Sequence, residues 1–77
     1  MNRKELKDEL LIHGVPEISF SVDGIKDGEC MCIVNDGGRW KVVYNSRGKI
    51  FNIADFEEEE EACDFMYGEM KQEYGWK

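Results

Sequence analysis

Apolar and polar side chains alternate one for one through Ile18, Ser19, Phe20, Ser21 and Val22, the two-residue period of a strand with one buried face. Residues 29–35 form a second extended segment with poorer alternation: Cys30, Cys32 and Val34 point one way, Met31 and Ile33 the other. Asp36-Gly37-Gly38 is a hairpin signal. It leads into a third strand at residues 39–45, rich in the aromatic and β-branched residues that suit a pleated surface. Ser46-Arg47-Gly48 interrupts the pattern, Gly48 supplying the positive φ of a tight turn, and a fourth strand follows at residues 49–53. At Asp55 the period changes from two to about 3.6, and Asp55 with Glu58 has the capping-box spacing of a helix start. The helix of residues 56–74 places Ala62, Phe65, Met66, Met70 and Tyr74 on one stripe. Gly68 lies inside it at a cost of about 1 kcal/mol relative to alanine, which points to a close helix–sheet approach or a bend.

Ahead of the strands, residues 2–13 read as a short amphipathic helix. Leu6, Leu10 and His13 lie along one face with Leu11 beside them, while Lys4, Lys7 and Asp8 face water. Gly14 closes this helix and Pro16 stops its continuation. The order is α-β-β-β-β-α. Three short connections make an antiparallel meander the simplest topology, so the expected fold is α+β: a four-stranded antiparallel meander flanked by an N-terminal and a C-terminal helix. Ile18, Phe20, Val22, Cys30, Cys32, Val34, Trp40, Val42 and Tyr44 group on one face of that sheet. Met31, Ile33, Val43 and either Phe51 or Ile53 group on the other. Two helices on one face would leave the second face as a partly apolar binding surface; one helix on each would not, and the pattern leaves both arrangements open.

Composition narrows the function classes. Seventy-seven residues make a single domain, 1–77, with no room for a second core. Seventeen acidic against ten basic side chains give a net charge of −7. Phosphate binding needs a basic surface, so direct nucleic-acid binding is not expected; a basic protein partner is the better match. No apolar run is long enough for a membrane span, and the first eight residues are charged rather than apolar, so the expected location is cytoplasmic. The three cysteines are an odd number, which argues against a closed disulfide framework and for a reducing compartment.

Catalytic chemistry finds little footing. Cys30-x-Cys32 lacks a second paired motif for zinc. Cys63 and His13 have no orienting third residue. Neither a phosphate loop nor triad spacing is present. The expectation is no catalytic residue, no metal and no cofactor: a protein that acts by binding. Glu57 to Glu61 are five successive carboxylates. They complement the helix macrodipole and also offer a surface to a cationic groove. The candidate partner-binding residues are Glu57, Glu58, Glu61 and Asp64, with Tyr67 off the main helical stripe, Trp76 near the chain end as an aromatic anchor, and Arg47 in the turn.

Residues 40–67 also carry a family likeness. Trp40-x-Val42-x-Tyr44, then Arg47-Gly48, then Phe56-x-x-Glu59-x-Glu61-Ala62-Cys63 followed by Phe65 and Tyr67 resembles the small immunity proteins of bacterial polymorphic-toxin systems. The likeness extends upstream through Phe20 to Gly24 and Glu29. Where that family commonly has an acidic residue before the Arg-Gly pair, this chain has Ser46. The resemblance implies a non-enzymatic protein that binds a cognate toxin domain and occludes its active site. With the net charge, it implies a basic toxin, nuclease being the commonest such activity. The alternative is another acidic protein-binding adaptor, or an inhibitor that mimics nucleic acid.

Overall fold

The computed structural model describes residues 1–76. The first helix, α1 (Arg3–Ile12), opens with a full capping box. Asn2 Oδ1 accepts from the Glu5 N–H at 2.8 Å and Glu5 Oε1 accepts from the Asn2 N–H at 2.9 Å, so two otherwise unpaired backbone donors are satisfied. A short 3-10 turn (Glu17–Ser19) leads into β1 (Phe20–Ser21), followed by β2 (Glu29–Asp36), β3 (Arg39–Ser46), β4 (Lys49–Phe56) and the second helix, α2 (Glu59–Tyr74). The sheet order is β1-β2-β3-β4. The α+β architecture and the order of elements are those expected from the pattern.

Three details correct that expectation. The first is direction: β1 pairs with β2 in parallel, through Phe20 with Met31 and Ser21 with Cys32, and the rest of the sheet is antiparallel. Residues 22–28 do not reverse beside β1. They extend the ladder once, Gly24 N–H donating to Ile33 O at 2.9 Å, and then cross one face of the sheet to enter β2 from its far end. Gly24 and Gly28, both at φ +101, supply conformations that L side chains adopt only with strain. So short a parallel crossover works because β1 is only two residues long. Ile18 falls in the 3-10 turn and is 75% exposed.

The second is the distribution of side chains between faces. Gly37 and Gly38, at φ +59 and +89, make a two-residue turn closed by Asp36 and Arg39, so Met31 opposes Tyr44 and Ile33 opposes Val42. Met31 and Ile33 therefore share a face with Trp40, Val42 and Tyr44, and Cys30 and Cys32 lie on the other face with Val43. The expected grouping of β2 is inverted. The third concerns α2, which starts at Glu59 with Glu58 as an N-cap that makes no side-chain hydrogen bond. Asp55 belongs to β4, pairing with Lys41 across the sheet and bonding Arg39 through its carboxylate, so it caps nothing. Strand pairing to Trp40 and Lys41 holds residues 54–56 extended beyond where the helical period begins.

Both helices cover the same face. Leu6, Leu10, Val15, Phe20, Val22, Met31, Ile33 and Val42 form one buried cluster with Ala62, Cys63, Met66 and Met70 of α2. The opposite face carries a smaller core of Cys30, Cys32 and Val43, with Val34 packed on it, beneath the crossing loop. Gly68 marks no close approach: it is exposed, and a Cβ added there meets no atom within 4 Å. Gly68→Ala is expected to stabilise the protein by about 1 kcal/mol through helix propensity alone. In a domain this small that raises Tm by roughly 4–8 °C, measurable by circular dichroism; a lower Tm would show that the glycine serves packing after all.

Candidate functional site

The acidic end of the molecule is built where β4 hands over to α2. Asp55, Glu57, Glu58, Glu60, Glu61 and Asp64 are all exposed there, and three nearby cations are already committed. Arg39 bonds Asp55 and lies 3.7 Å from Glu57. Arg3 reaches Asp23 at 2.9 Å and Glu59 at 3.6 Å while covering the Trp40 ring at 5.1 Å. The Met1 ammonium donates to Asp64 at 3.2 Å, which holds the α-amino group above its ordinary 8.0. Among the described residues, Glu58, Glu60 and Glu61 have no ion-pair partner. They sit at the positive pole of a 16-residue helix, which tolerates their mutual repulsion.

The seven residues singled out from the sequence fall in three places. Glu57, Glu58 and Glu61 lie where β4 passes into α2, Glu61 one turn before Phe65, whose ring packs on Phe56 at 5.5 Å. Asp64, Tyr67 and Trp76 face α1. Trp76 stacks flat on His13 at 4.4 Å and 4°, and Tyr67 meets the Trp76 ring edge-on at 5.7 Å. Trp76 is half-buried and ties the segment after α2 to the end of α1, so its own surface is largely spent inside the molecule. Arg47 lies at the opposite end of the sheet, in the β3–β4 turn.

One surface escaped the sequence reading. β4 is the last strand of the sheet, its outer edge has no partner among the described residues, and its first five residues are exposed. Ile50, Phe51 and Ile53 are 45%, 53% and 41% exposed. The apolar spacing was visible. That no neighbour would cover it depends on the strand order, which no local signal encodes.

Cys30, Cys32 and Cys63 are free and fully buried, and burial pushes the Cys63 thiol up to about 11 from an ordinary 9.0. Burial likewise raises Cys32. A raised thiol pKa means that folding favours the protonated form. The stability this contributes is complete below pH 9 and is lost as the pH climbs towards 11, because the unfolded chain ionises first. The urea midpoint is therefore expected to fall between pH 9 and 11, and iodoacetamide should leave the native thiols unlabelled at neutral pH. Rapid labelling at pH 7 would contradict this. Among the described residues no group of three His, Cys, Asp or Glu side chains could hold a metal ion, and no helix is long and apolar enough to cross a membrane. A shallow hollow of about 420 Å³ between α1 and residues 22–23 is lined by Asn2, Arg3, Lys4, Lys7, Val22, Asp23 and Glu59. No family model, no curated protein and no solved structure matches the chain.

Proposed function

We propose that this chain is a non-enzymatic immunity protein of the bacterial polymorphic-toxin kind, which binds a cognate basic toxin domain and covers its active site without contacting nucleic acid itself. The observation that carries the reading is the set of uncompensated carboxylates at the head of α2. Glu58, Glu60 and Glu61 stand at the start of the helix, with Glu57 and Asp64 beside them, while Arg3, Arg39 and the Met1 ammonium are engaged within the molecule. Such a surface speeds encounter with a cationic partner and selects against acidic ones. A toxin whose active site handles phosphates offers that cationic partner, which makes a nuclease domain the best match.

The test is titration calorimetry against the catalytically inactivated toxin domain encoded next to this chain, at low and at moderate salt. Tight binding that weakens with salt is expected. Combined Glu57→Lys, Glu58→Lys and Glu61→Lys should lower the affinity by tenfold or more, about 1.4 kcal/mol, without unfolding the protein, since all three side chains are exposed. Unchanged binding by the triple variant at low salt would remove the acidic end from the interface. Equal inhibition of unrelated nucleases would instead identify a general mimic of nucleic acid.

A further inference from the structure

We infer that the open edge of β4 is a self-association surface, on which a second copy of this chain pairs antiparallel to extend the sheet across a two-fold axis. This goes beyond the proposed function and does not depend on it. The β3–β4 hairpin turns through two residues, Arg47 and Gly48, and closes on Ser46 with Lys49. In such a hairpin the closing pair is hydrogen-bonded and alternate residues face outward. Lys49 and Phe51 therefore direct their backbone groups to β3, and Ile50 and Asn52 direct theirs to the open side. Natural edges are protected by shortness, proline, inward charge or a bulge. The opposite edge, β1, is two residues long. β4 has eight residues and no proline; its charges, Lys49 and Asp55, flank an uncharged Ile50 to Ala54, and its irregularity comes only at Ile53, where Val42 opposes Ala54 but Val43 opposes Asn52.

That bulge selects the register. Beyond it the outward alternation is broken, so a regular ladder can use only the segment before it. An axis through Phe51 sets Ile50 against Asn52 of the second copy, and the reverse, for four backbone hydrogen bonds. An axis through Asn52 would oppose Ile50 to Ala54, on the far side of the bulge, and keep two. With the axis at Phe51 the two Phe51 rings face each other at the closer, non-hydrogen-bonded spacing, each flanked by its own cross-strand Tyr44. An aromatic pair of this kind adds to the area it buries.

Charge decides for a second copy over another strand. Along the hairpin edge the order is cationic (Arg47, Lys49), apolar (Ile50, Phe51, Ile53), anionic (Asp55 and Glu57, two carboxylates sharing the one Arg39). Antiparallel pairing about Phe51 lays each cationic end on the other copy's anionic end, which parallel pairing would not. Arg47 itself supports a role beyond the turn: at φ +52 it is the one described non-glycine residue with positive φ, at a position where glycine or asparagine carries less strain.

Sedimentation velocity of the full chain, from nanomolar to near-millimolar concentration, tests this directly. A reversible monomer–dimer equilibrium is expected, weak because the ladder is short. Phe51→Lys should raise the dimer dissociation constant at least about tenfold. Asn52→Pro should do the same, by removing an outward N–H that the chain's own sheet does not use. Circular dichroism establishes that each variant is folded, and the Ile50 and Asn52 amides of the unmodified chain should gain exchange protection as concentration rises. A dimer that survives both folded variants overturns the inference, since its interface then lies elsewhere. So does a chain that stays monomeric throughout with those two amides exchanging freely, which would leave the edge to a strand of another protein.

Discussion

Asn45→Ala is expected to destabilise the protein by about 2 kcal/mol, out of a total of roughly 4–12 kcal/mol for a chain of this length. Asn45 is the one buried polar side chain among the described residues, 2% exposed, and it holds two segments at once. Its Nδ2 donates to the Lys26 carbonyl at 2.7 Å, fixing the crossing loop to the sheet; its Oδ1 accepts from the Gly48 N–H at 2.9 Å, bracing the β3–β4 turn. Alanine leaves the Lys26 carbonyl and the Gly48 N–H without this partner at part-buried positions. It also frees the loop that covers Cys30 and Cys32, since Lys26 O is left with only the weak Cys30 thiol donor at 3.3 Å. Urea denaturation should show the loss, and the Cys30 and Cys32 thiols should become reactive under native conditions while Cys63 stays protected. A midpoint within a few tenths of a kcal/mol of the parent would mean that the loop holds itself in place.

Leu10→Ala is expected to cost more, about 3 kcal/mol. Leu10 is fully buried at the centre of the face by which α1 joins the core. A 10-residue helix is unstable by itself and persists through packing. The substitution removes transfer free energy, opens a cavity in the core cluster that Leu10 shares with Met66 and Met70, and loosens the helix end that carries His13 and, stacked on it, Trp76. The same variant should therefore red-shift tryptophan fluorescence before global unfolding, while Leu11→Ala, on an exposed neighbour, should stay within about 0.5 kcal/mol of the parent. An equal loss from both would mean that α1 is held by something other than its buried face.

The two effects differ in how visible they were in the amino-acid order. Leu6 and Leu10 announce themselves by spacing. Asn45 looks like an ordinary residue before a turn, and only the crossing loop, placed over it by a parallel pairing, turns it into a buried anchor. The candidate site divides in the same way. The carboxylates at the head of α2 could be read directly, because helix position and exposure follow from local pattern. The fate of Trp76 could not, since its partner His13 lies 63 residues away in the chain.

The sequence by itself determined what depends on near neighbours: two helices, four extended segments, tight turns at Gly37-Gly38 and Arg47-Gly48, and a strongly acidic start to the last helix. The grouping of the sheet faces is also implicit in it. A two-residue turn at Gly37-Gly38 forces odd positions of β2 against even positions of β3, which puts Met31 and Ile33 with Trp40, Val42 and Tyr44. The capping box of Asn2 and Glu5 was equally legible, whereas the same spacing at Asp55 and Glu58 misled. Only the tertiary structure decided the direction of β1, the extension of β4 to Phe56, the gathering of both helices on one face and the open edge at Ile50 to Ile53. Each of these is a contest between pairings distant in the chain, settled by the apolar surface that the whole arrangement buries, and periodicity carries no record of which distant segment wins.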